Sequence, residues 1–360
     1  MLFRSWAEID TKTFKKNLKN IYQFIKKDIF AVVKADAYGH CARELSKILE
    51  EKNYVKKLCV ATALEGKEIR EAGVKKDILV LGGILPSEIE IFNSFHLTPV
   101  ISDFSQLELV KKLKVKKIHI NFDTGMHRLG FYKSDIESIV SFVKRENILI
   151  EGIMSHFPSA DIDTEFTNHQ INQLKKILFS LKNFGILPEF IHIQNSAGLM
   201  YNCDVCNAVR VGLALYGEKP VENFPVEIEN IMSVKAKVIS KKKLKKGDKV
   251  SYCGTFEADR DMYIATVSFG YADGLPRKLS NKGKVIINGK FARILGNITM
   301  DMIMVDIDNF ESEVKEEDEV IIIGKSRDKE IRFSDIADLS GTIPYEIMCG
   351  ISKRVKRFFV

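Results

Sequence analysis

Residues 30–61 read FAVVKADAYGHCARELSKILEEKNYVKKLCVA. The apolar, β-branched run Phe30–Val33 is followed by Ala42–Glu51, whose apolar residues recur at spacings of three and four, and then by a second apolar run at Leu58–Ala61. Short apolar runs of this kind read as buried strands and the three-and-four spacing as one face of a helix. The stretch is therefore strand, helix, strand, and the unit repeats outward. Further strand-like runs lie at Ile78–Leu81, Thr98–Ile101, Lys117–Phe122, Ile148–Met154, Phe190–Ile193 and Ala208–Leu215. Helical patterns lie at Thr11–Lys26, Leu64–Ala72, Pro86–Phe95, Phe104–Leu113, Ser134–Arg145 and Glu165–Phe184. Eight strands alternating with helices over about 220 residues predict a (β/α)8 barrel, an α/β fold. Periodicity alone leaves a doubly wound open sheet as the alternative.

After Pro220 the texture changes. SVKAKVIS, DMYIATVSFG, KVIINGKFARILG, MIMVDI and DEVIIIG follow one another, joined by turn residues with little helix between. This predicts a mostly β C-terminal domain at 225–360 after a barrel at 1–224. The short run Trp6–Asp10 is a candidate to pair into that second domain. A chain of 360 residues has room for one large and one smaller domain.

Lysine and arginine total 55 against 48 acids, a net charge of +7. The densest basic run, at Lys241–Lys243 with Lys245 and Lys246, is accompanied by no aromatic-rich reader motif, so nucleic acid is not an expected partner. The start, MLFRSWAEIDTKTF, lacks the apolar core of a signal peptide, and no stretch is apolar enough to cross a membrane. A cytoplasmic location without membrane association is the expectation. Six cysteines are scattered; Cys203 and Cys206 form one CxxC with no second pair or histidine at zinc-site spacing, which favours two reduced structural thiols and no metal.

A barrel gathers its chemistry where strands end at their carboxyl edge. The first strand ends in Lys34, the fifth runs into DTGMHRLG, the sixth into SHFPSAD, the seventh into QNSAG, and the eighth passes through Arg210 to Tyr216 and Gly217. A lysine ending an apolar strand is partly desolvated, which lowers its pKa and makes its amine a nucleophile for Schiff-base chemistry. An edge lysine reaching solvent is the competing reading. The hydroxyl, amide, imidazole and guanidiniums at the other strand ends favour the nucleophile. Asn195, Ser196 and Gly198, with Gly212, fit the phosphate site common near the last strands of barrels.

Nine segments in order, AVVKADAYGH, DTGMHRLGF, SHFPSAD, NSAG, RVGLALYG, VSYCGTF, SFGYADGLPR, NITMDM and IPYEIMCGISKRV, resemble those of the bacterial alanine racemases from residue 31 to residue 355. The resemblance implies a barrel plus β domain, a homodimer with active sites shared between subunits, and pyridoxal 5'-phosphate as cofactor. It implies interconversion of L-alanine and D-alanine through a cofactor aldimine by two bases, supplying D-alanine for peptidoglycan. Lys34 would hold the cofactor and serve as one base; Tyr252 of the partner subunit would be the other. Tyr38, Ser196, Gly212, Leu213 and Tyr345 would cradle the phosphate, with Asn195 close by. Arg210 would face the pyridine nitrogen and keep the ring neutral, with His156 beside it. Arg128 would bond the cofactor's phenolic oxygen and the substrate carboxylate, which the backbone amide of Met300 would also hold. Tyr271 and Asp301 are weaker candidates. A serine or broad-specificity racemase of the same fold is the alternative; a decarboxylase and a cofactor carrier fit less well. The chain departs from the family pattern at Asn121, where many members carry a carbamylated lysine. Cys253 and His127 stand where glycine is common, and Pro158 where alanine is.

Overall fold

The computed structural model describes residues 3–360; residues 1 and 2, the start of the first expected domain, lie outside the described residues. Strand β1 (Ser5–Ile9) leads into α1 (Thr11–Ile25), whose first turn is capped by Asp10 accepting from the N–H groups of Lys12 and Thr13. The alternation then runs β2 (Asp28–Val32), α2 (Lys34–Gly39), α3 (Ala42–Glu50), β3 (Val55–Val60), α4 (Ala63–Glu71), β4 (Asp77–Val80), α5 (Ile89–Phe95), β5 (Leu97–Ile101), α6 (Phe104–Leu109) and β6 (Lys117–Asn121). It continues with α7 (Ile136–Arg145), β7 (Leu149–Met154), α8 (Thr164–Asn183), β8 (Phe190–His192) and β9 (Ala208–Val211). Strands β2 to β9 form one parallel sheet in the order β8-β7-β6-β5-β4-β3-β2-β9. No ladder joins β8 to β9, but Arg210 N–H donates to Gln194 O at 2.9 Å and Asn207 N–H to Ile191 O at 3.2 Å, so the barrel is nearly closed. All eight expected strands are present. The last is shorter than the sequence suggests: it ends at Val211, because residues 213–216 coil into a short 3-10 turn after Gly212.

The barrel interior is mixed rather than apolar. In β6, Ile118 and Ile120 alternate with Lys117, His119 and Asn121, and the inward set meets Glu151 of β7 and His192 of β8. Phe30 of β2 fills the centre, with its ring 5.1 Å from Phe190 and 4.8 Å from the His192 ring.

The remaining strands are β10 (Met232–Leu244), β11 (Lys249–Val250), β12 (Phe256–Glu257), β13 (Met262–Val267), β14 (Lys284–Ile287), β15 (Lys290–Leu295), β16 (Ile303–Asp306), β17 (Glu319–Ser326), β18 (Lys329–Ile331) and β19 (Lys356–Phe359). The long β10 pairs with β13 through its second half and with β17 through its first, so β17-β14-β15-β16-β13-β10 closes into a ring that leaves few edges. A register shift between Val238 and Ser240 divides those two roles. Strand β1 adds antiparallel to β10, Trp6 opposite Lys235, so the N-terminal run does join the C-terminal sheet. Two helices that the sequence reading did not anticipate, α9 (Phe333–Ser340) and α10 (Pro344–Gly350), precede β19. They bury Phe333, Ile336, Ile347 and Met348, and α10 carries Tyr345. Cys203 and Cys206 are joined as a disulfide, where the sequence reading favours free thiols; the loop between β8 and β9 brings their Cα atoms to 5.4 Å.

Phe30 touches strands on both sides of the barrel, so Phe30→Ala leaves a cavity that neighbouring side chains cannot collapse into. It should destabilise the chain by roughly 3–5 kcal/mol, read as a lowered midpoint in thermal or urea unfolding followed by circular dichroism.

Candidate active site

The site begins where β2 leaves the barrel. After Val33 and Lys34, the residues Ala35, Asp36, Ala37 and Tyr38 all have positive φ, from 52° to 55°, so α2 is a left-handed turn built from non-glycine residues. Each such residue costs roughly 1–2 kcal/mol, and the surroundings hold the turn against that cost. Ala35 N–H donates to Glu65 Oε1 at 2.8 Å, and Ala42 N–H to Asp36 Oδ1 at 2.7 Å. The His40 ring donates from Nδ1 to the carbonyls of Tyr38 at 2.8 Å and Ala37 at 3.0 Å. Arg357 Nε, from β19, donates to Gly39 O at 3.0 Å. Glu65 is itself fixed at the start of α4, where it completes a capping box with Thr62.

This turn leaves Lys34 lining a cavity of about 240 Å³ with Asn121, Arg128, His156 and Arg210. Burial pushes the Lys34 amine below its ordinary pKa, and the Arg128 and Arg210 guanidiniums push it further in the same direction. Arg210 is itself buried, which lowers it to about 10. Its Nη2 donates to Ser155 O at 2.6 Å and to His156 Nδ1 at 2.9 Å. Burial, and then the charge of Arg210, hold the His156 imidazole far below its ordinary pKa, so it is neutral. Arg128 makes no hydrogen bond or ion pair among the described residues, which leaves its fork of donors open to the cavity. Asn121 makes no hydrogen bond to it; Asn121 Nδ2 donates to Leu129 O at 2.8 Å and pins the loop that carries Arg128.

The expected phosphate cradle is brought together. Ser196 Oγ accepts from the N–H groups of Gly212 and Ala214, both at 3.3 Å, which gathers the two loop ends and leaves the hydroxyl proton for another acceptor. A Cβ on Gly212 would lie 2.4 Å from Tyr38 Oη, so only glycine lets the backbone come so near that hydroxyl. Leu213 follows it at the start of the 3-10 turn. The Tyr38 ring packs 4.9 Å from Tyr216 and 5.7 Å from Tyr345, and burial pushes the Tyr345 phenol up to about 12, so both hydroxyls are donors. Asn195 is spent on structure: its Oδ1 accepts from Gly198 N–H at 2.9 Å and its Nδ2 donates to Phe157 O at 3.1 Å.

Two expected residues lie elsewhere. Tyr252 and Met300 belong to the β domain and are 71% and 52% exposed. Tyr252 lines a second cavity with Thr299, Asp301 and Met302, which shares no residue with the first. Within one chain, then, Lys34 and Tyr252 do not meet in one cavity. Asp301 is paired with Arg354 at 2.8 Å, and Arg354 also binds the buried Asp273 at 2.7 Å, a structural use of both carboxylates. Tyr271 is exposed beside α10. Cys253 and His127 have φ of 63° and 54°, which explains why glycine suits those places.

Sequence reasoning missed Glu65 and a line of buried groups inside the barrel: Lys57, His119, Glu151 and His192. Their signal was present as polar residues interrupting buried strands, in VKKLCV, KIHIN, LIEGIM and FIH. Within the barrel itself, chemistry is expected only where strands end.

The family model described as alanine racemase, N-terminal domain, matches residues 9–220, and that of the C-terminal domain matches 231–359. The alanine racemase of Aquifex pyrophilus is 42% identical over 357 residues, covering 99% of this chain and 98% of that protein. Among solved structures, alanine racemase from Bacillus anthracis with bound L-Ala-P superposes with a TM-score of 0.92 at 35% identity, covering 100% of this chain and 96% of that one. Alanine racemase from Bartonella henselae with covalently bound pyridoxal phosphate gives 0.89 at 29% identity, covering 99% and 100%.

Glu65→Ala removes the acceptor of Ala35 N–H and should loosen the left-handed turn at a cost of about 1–3 kcal/mol. Amide exchange should locate the change: faster exchange at Ala35 to Tyr38, with the far side of the barrel unaltered, is the expected result.

Proposed function

The chain belongs to the alanine racemase family, and from that premise we propose that it interconverts L-alanine and D-alanine with pyridoxal 5'-phosphate held on Lys34. One observation carries the reading: a lysine amine lowered by burial and two guanidiniums lines a cavity at the barrel mouth, next to a backbone cradle that a side chain on Gly212 would fill. The donor set fits the cofactor. Ser196, Tyr38, Tyr345 and the amides of Gly212 and Leu213 suit a phosphate, and Arg210 suits an unprotonated ring nitrogen because a guanidinium donates and does not accept. When bound, the cofactor supplies an electron-withdrawing ring that acidifies the Cα–H of an amino acid joined to it.

The chain's own groups do the rest. Lys34 Nζ, whose pKa burial lowers, takes or returns a proton on one face. Tyr252 of the partner subunit does the same on the other, since inversion needs a base on each side. Arg128 offers two parallel donors to the substrate carboxylate, and Met300 of the partner subunit offers a backbone amide. His156, neutral, accepts from Arg210 and steadies it. By this reading the first domain, 1–224, binds the cofactor and the second, 225–360, brings the partner's groups; the product D-alanine would serve peptidoglycan in the cytoplasm. Racemisation of serine or a broader set is the alternative, and rates on a panel of amino acids separate the two.

Borohydride treatment of the protein as purified should leave the cofactor covalently on the peptide carrying Lys34; attachment to another lysine would overturn the assignment. Without borohydride treatment, the protein as purified should abolish the optical activity of L-alanine.

The shared site has its own test. Homodimers of Lys34→Ala and of Tyr252→Phe should both be nearly inactive. After subunit exchange, half the dimers are mixed and each has one intact site of two, so activity should return to roughly a quarter of the unmodified level. No recovery, once mass spectrometry has verified the exchange, would place both residues in the same subunit's site or show that they do not act together.

A further inference from the structure

Arg210 is the end of a chain of hydrogen bonds that crosses the barrel interior. Its Nη1 lies 2.6 Å from His192 Nδ1; His192 Nε2 lies 2.8 Å from His119 Nδ1; His119 Nε2 lies 3.0 Å from Glu151 Oε2. Both imidazoles are fully buried, and Glu151 is 6% exposed. The carboxylate is held by two lysines, Lys57 at 2.9 Å and Lys117 at 3.0 Å, which both reach on to Asp77 at the solvent end of the barrel, at 3.0 Å and 2.9 Å.

The direction of every proton follows from the two ends. A guanidinium only donates, so His192 Nδ1 must be unprotonated and its proton must sit on Nε2. His192 then donates to His119, so His119 Nδ1 is unprotonated too, and His119 Nε2–H donates to the carboxylate. Reversing either ring would set N–H against N–H at 2.6 Å or 2.8 Å. Burial favours the neutral form of both rings, bringing His119 to about 4, despite its bond to Glu151, and His192 well below its ordinary value. Burial alone would raise the Glu151 carboxyl, but the bonds from His119 and Lys57 outweigh it and keep it ionised.

The guanidinium has five N–H groups. Nη1 serves His192 Nδ1 and His192 O, and Nη2 serves Ser155 O, His156 Nδ1 and, at 3.2 Å, Ile193 O. Nε–H alone bonds to nothing among the described residues, and Arg210 lines the Lys34 cavity. We propose that Glu151 is a positioning residue for the racemase site: acting through the fixed tautomers of His119 and His192, it locks Arg210 so that Nε–H is the donor left for the cofactor ring. The consequence for turnover rests on the racemase reading; the tautomers do not.

The test is site-assigned 15N solid-state NMR of the full-length protein labelled in histidine, prepared with and without pyridoxal 5'-phosphate. His119 and His192 should both be neutral, with Nδ1 unprotonated. His40, whose Nδ1 faces two carbonyls, should show the opposite pattern and serves as the internal contrast. A proton on Nδ1 of His192, or a charged His119, overturns the proposal. Glu151→Gln puts a side chain that can donate opposite His119 Nε2, so the reversed proton order, with His192 Nδ1–H set against Arg210, should compete and displace the guanidinium; kcat should fall about tenfold or more, as for other partners that orient a site residue, with KM for alanine changed by less than about threefold. Retained kcat in the folded variant overturns it. Should Glu151→Gln not fold, the charge-balanced pair Lys57→Met with Glu151→Gln is read in the same way. A chain with the expected tautomers but no racemisation of any amino acid would refute the racemase reading and leave the proton order standing.

Discussion

A guanidinium sealed inside a barrel must find an acceptor for nearly every N–H, because an unpaired buried charge costs several kcal/mol. Arg210 meets this requirement with the carbonyls of Ser155, His192 and Ile193 and the rings of His156 and His192. Those acceptors stand at the ends of β7 and β8, while Arg210 itself stands in β9. The sheet has no ladder between β8 and β9, so the side chain together with its own backbone N–H to Gln194 O does what a ladder does elsewhere in the barrel. Arg210, together with Asn207, whose N–H and Oδ1 bond Ile191, therefore closes the fold, and Arg210 also furnishes the site. Arginine suits the position better than lysine would, since a single ammonium cannot reach acceptors on both sides of the gap.

The left-handed turn after Lys34 is the second expensive feature. Four residues at roughly 1–2 kcal/mol each amount to a large fraction of the stability of an ordinary domain. Such strain persists where the surroundings over-determine it. Here they do so from three directions: Glu65 from α4, the His40 ring from within the segment, and Arg357 from the last strand. The turn leaves Lys34 lining the cavity and the Tyr38 ring against Tyr216, with its hydroxyl close to Gly212.

Much of this was legible in the sequence. The eight barrel strands announced themselves through apolar runs, and Lys34, Arg128, His156, Ser196, Gly212 and Arg210 through their places at strand ends. The turn at Ala35–Tyr38 was not legible, because KADAY contains no glycine or asparagine to signal positive φ; its cause is tertiary and comes from residues as distant as Arg357. Helices α9 and α10 are eight and seven residues long, too short for a helical repeat to show in the sequence. The interior charges were overlooked for a different reason. One lysine in VKKLCV or one glutamate in LIEGIM carries no sign of a partner, and the pairing of Lys57 with Glu151 spans a barrel whose register sequence alone does not give.

The β domain repeats the logic of strain at its own surface. Tyr252 is presented between Ser251 and Cys253, with φ of 65° and 63°, and the loop is pinned by Ser251 Oγ donating to Asn297 O at 2.5 Å and Asn297 Nδ2 donating to Tyr252 O at 2.8 Å. The strain is held in place by these bonds, and the exposed tyrosine lines, with Asp301 and Met302, a cavity that shares no residue with that of its own barrel. At the barrel mouth the complementary situation holds, with the Arg128 fork unbonded. Each half carries an ordered, unsatisfied feature that the same chain does not complete. On the proposed reading two copies resolve both at once. A two-fold pairing presents the same patch twice, so a tyrosine aimed outward by one copy meets the other copy's open cavity without any change in either barrel.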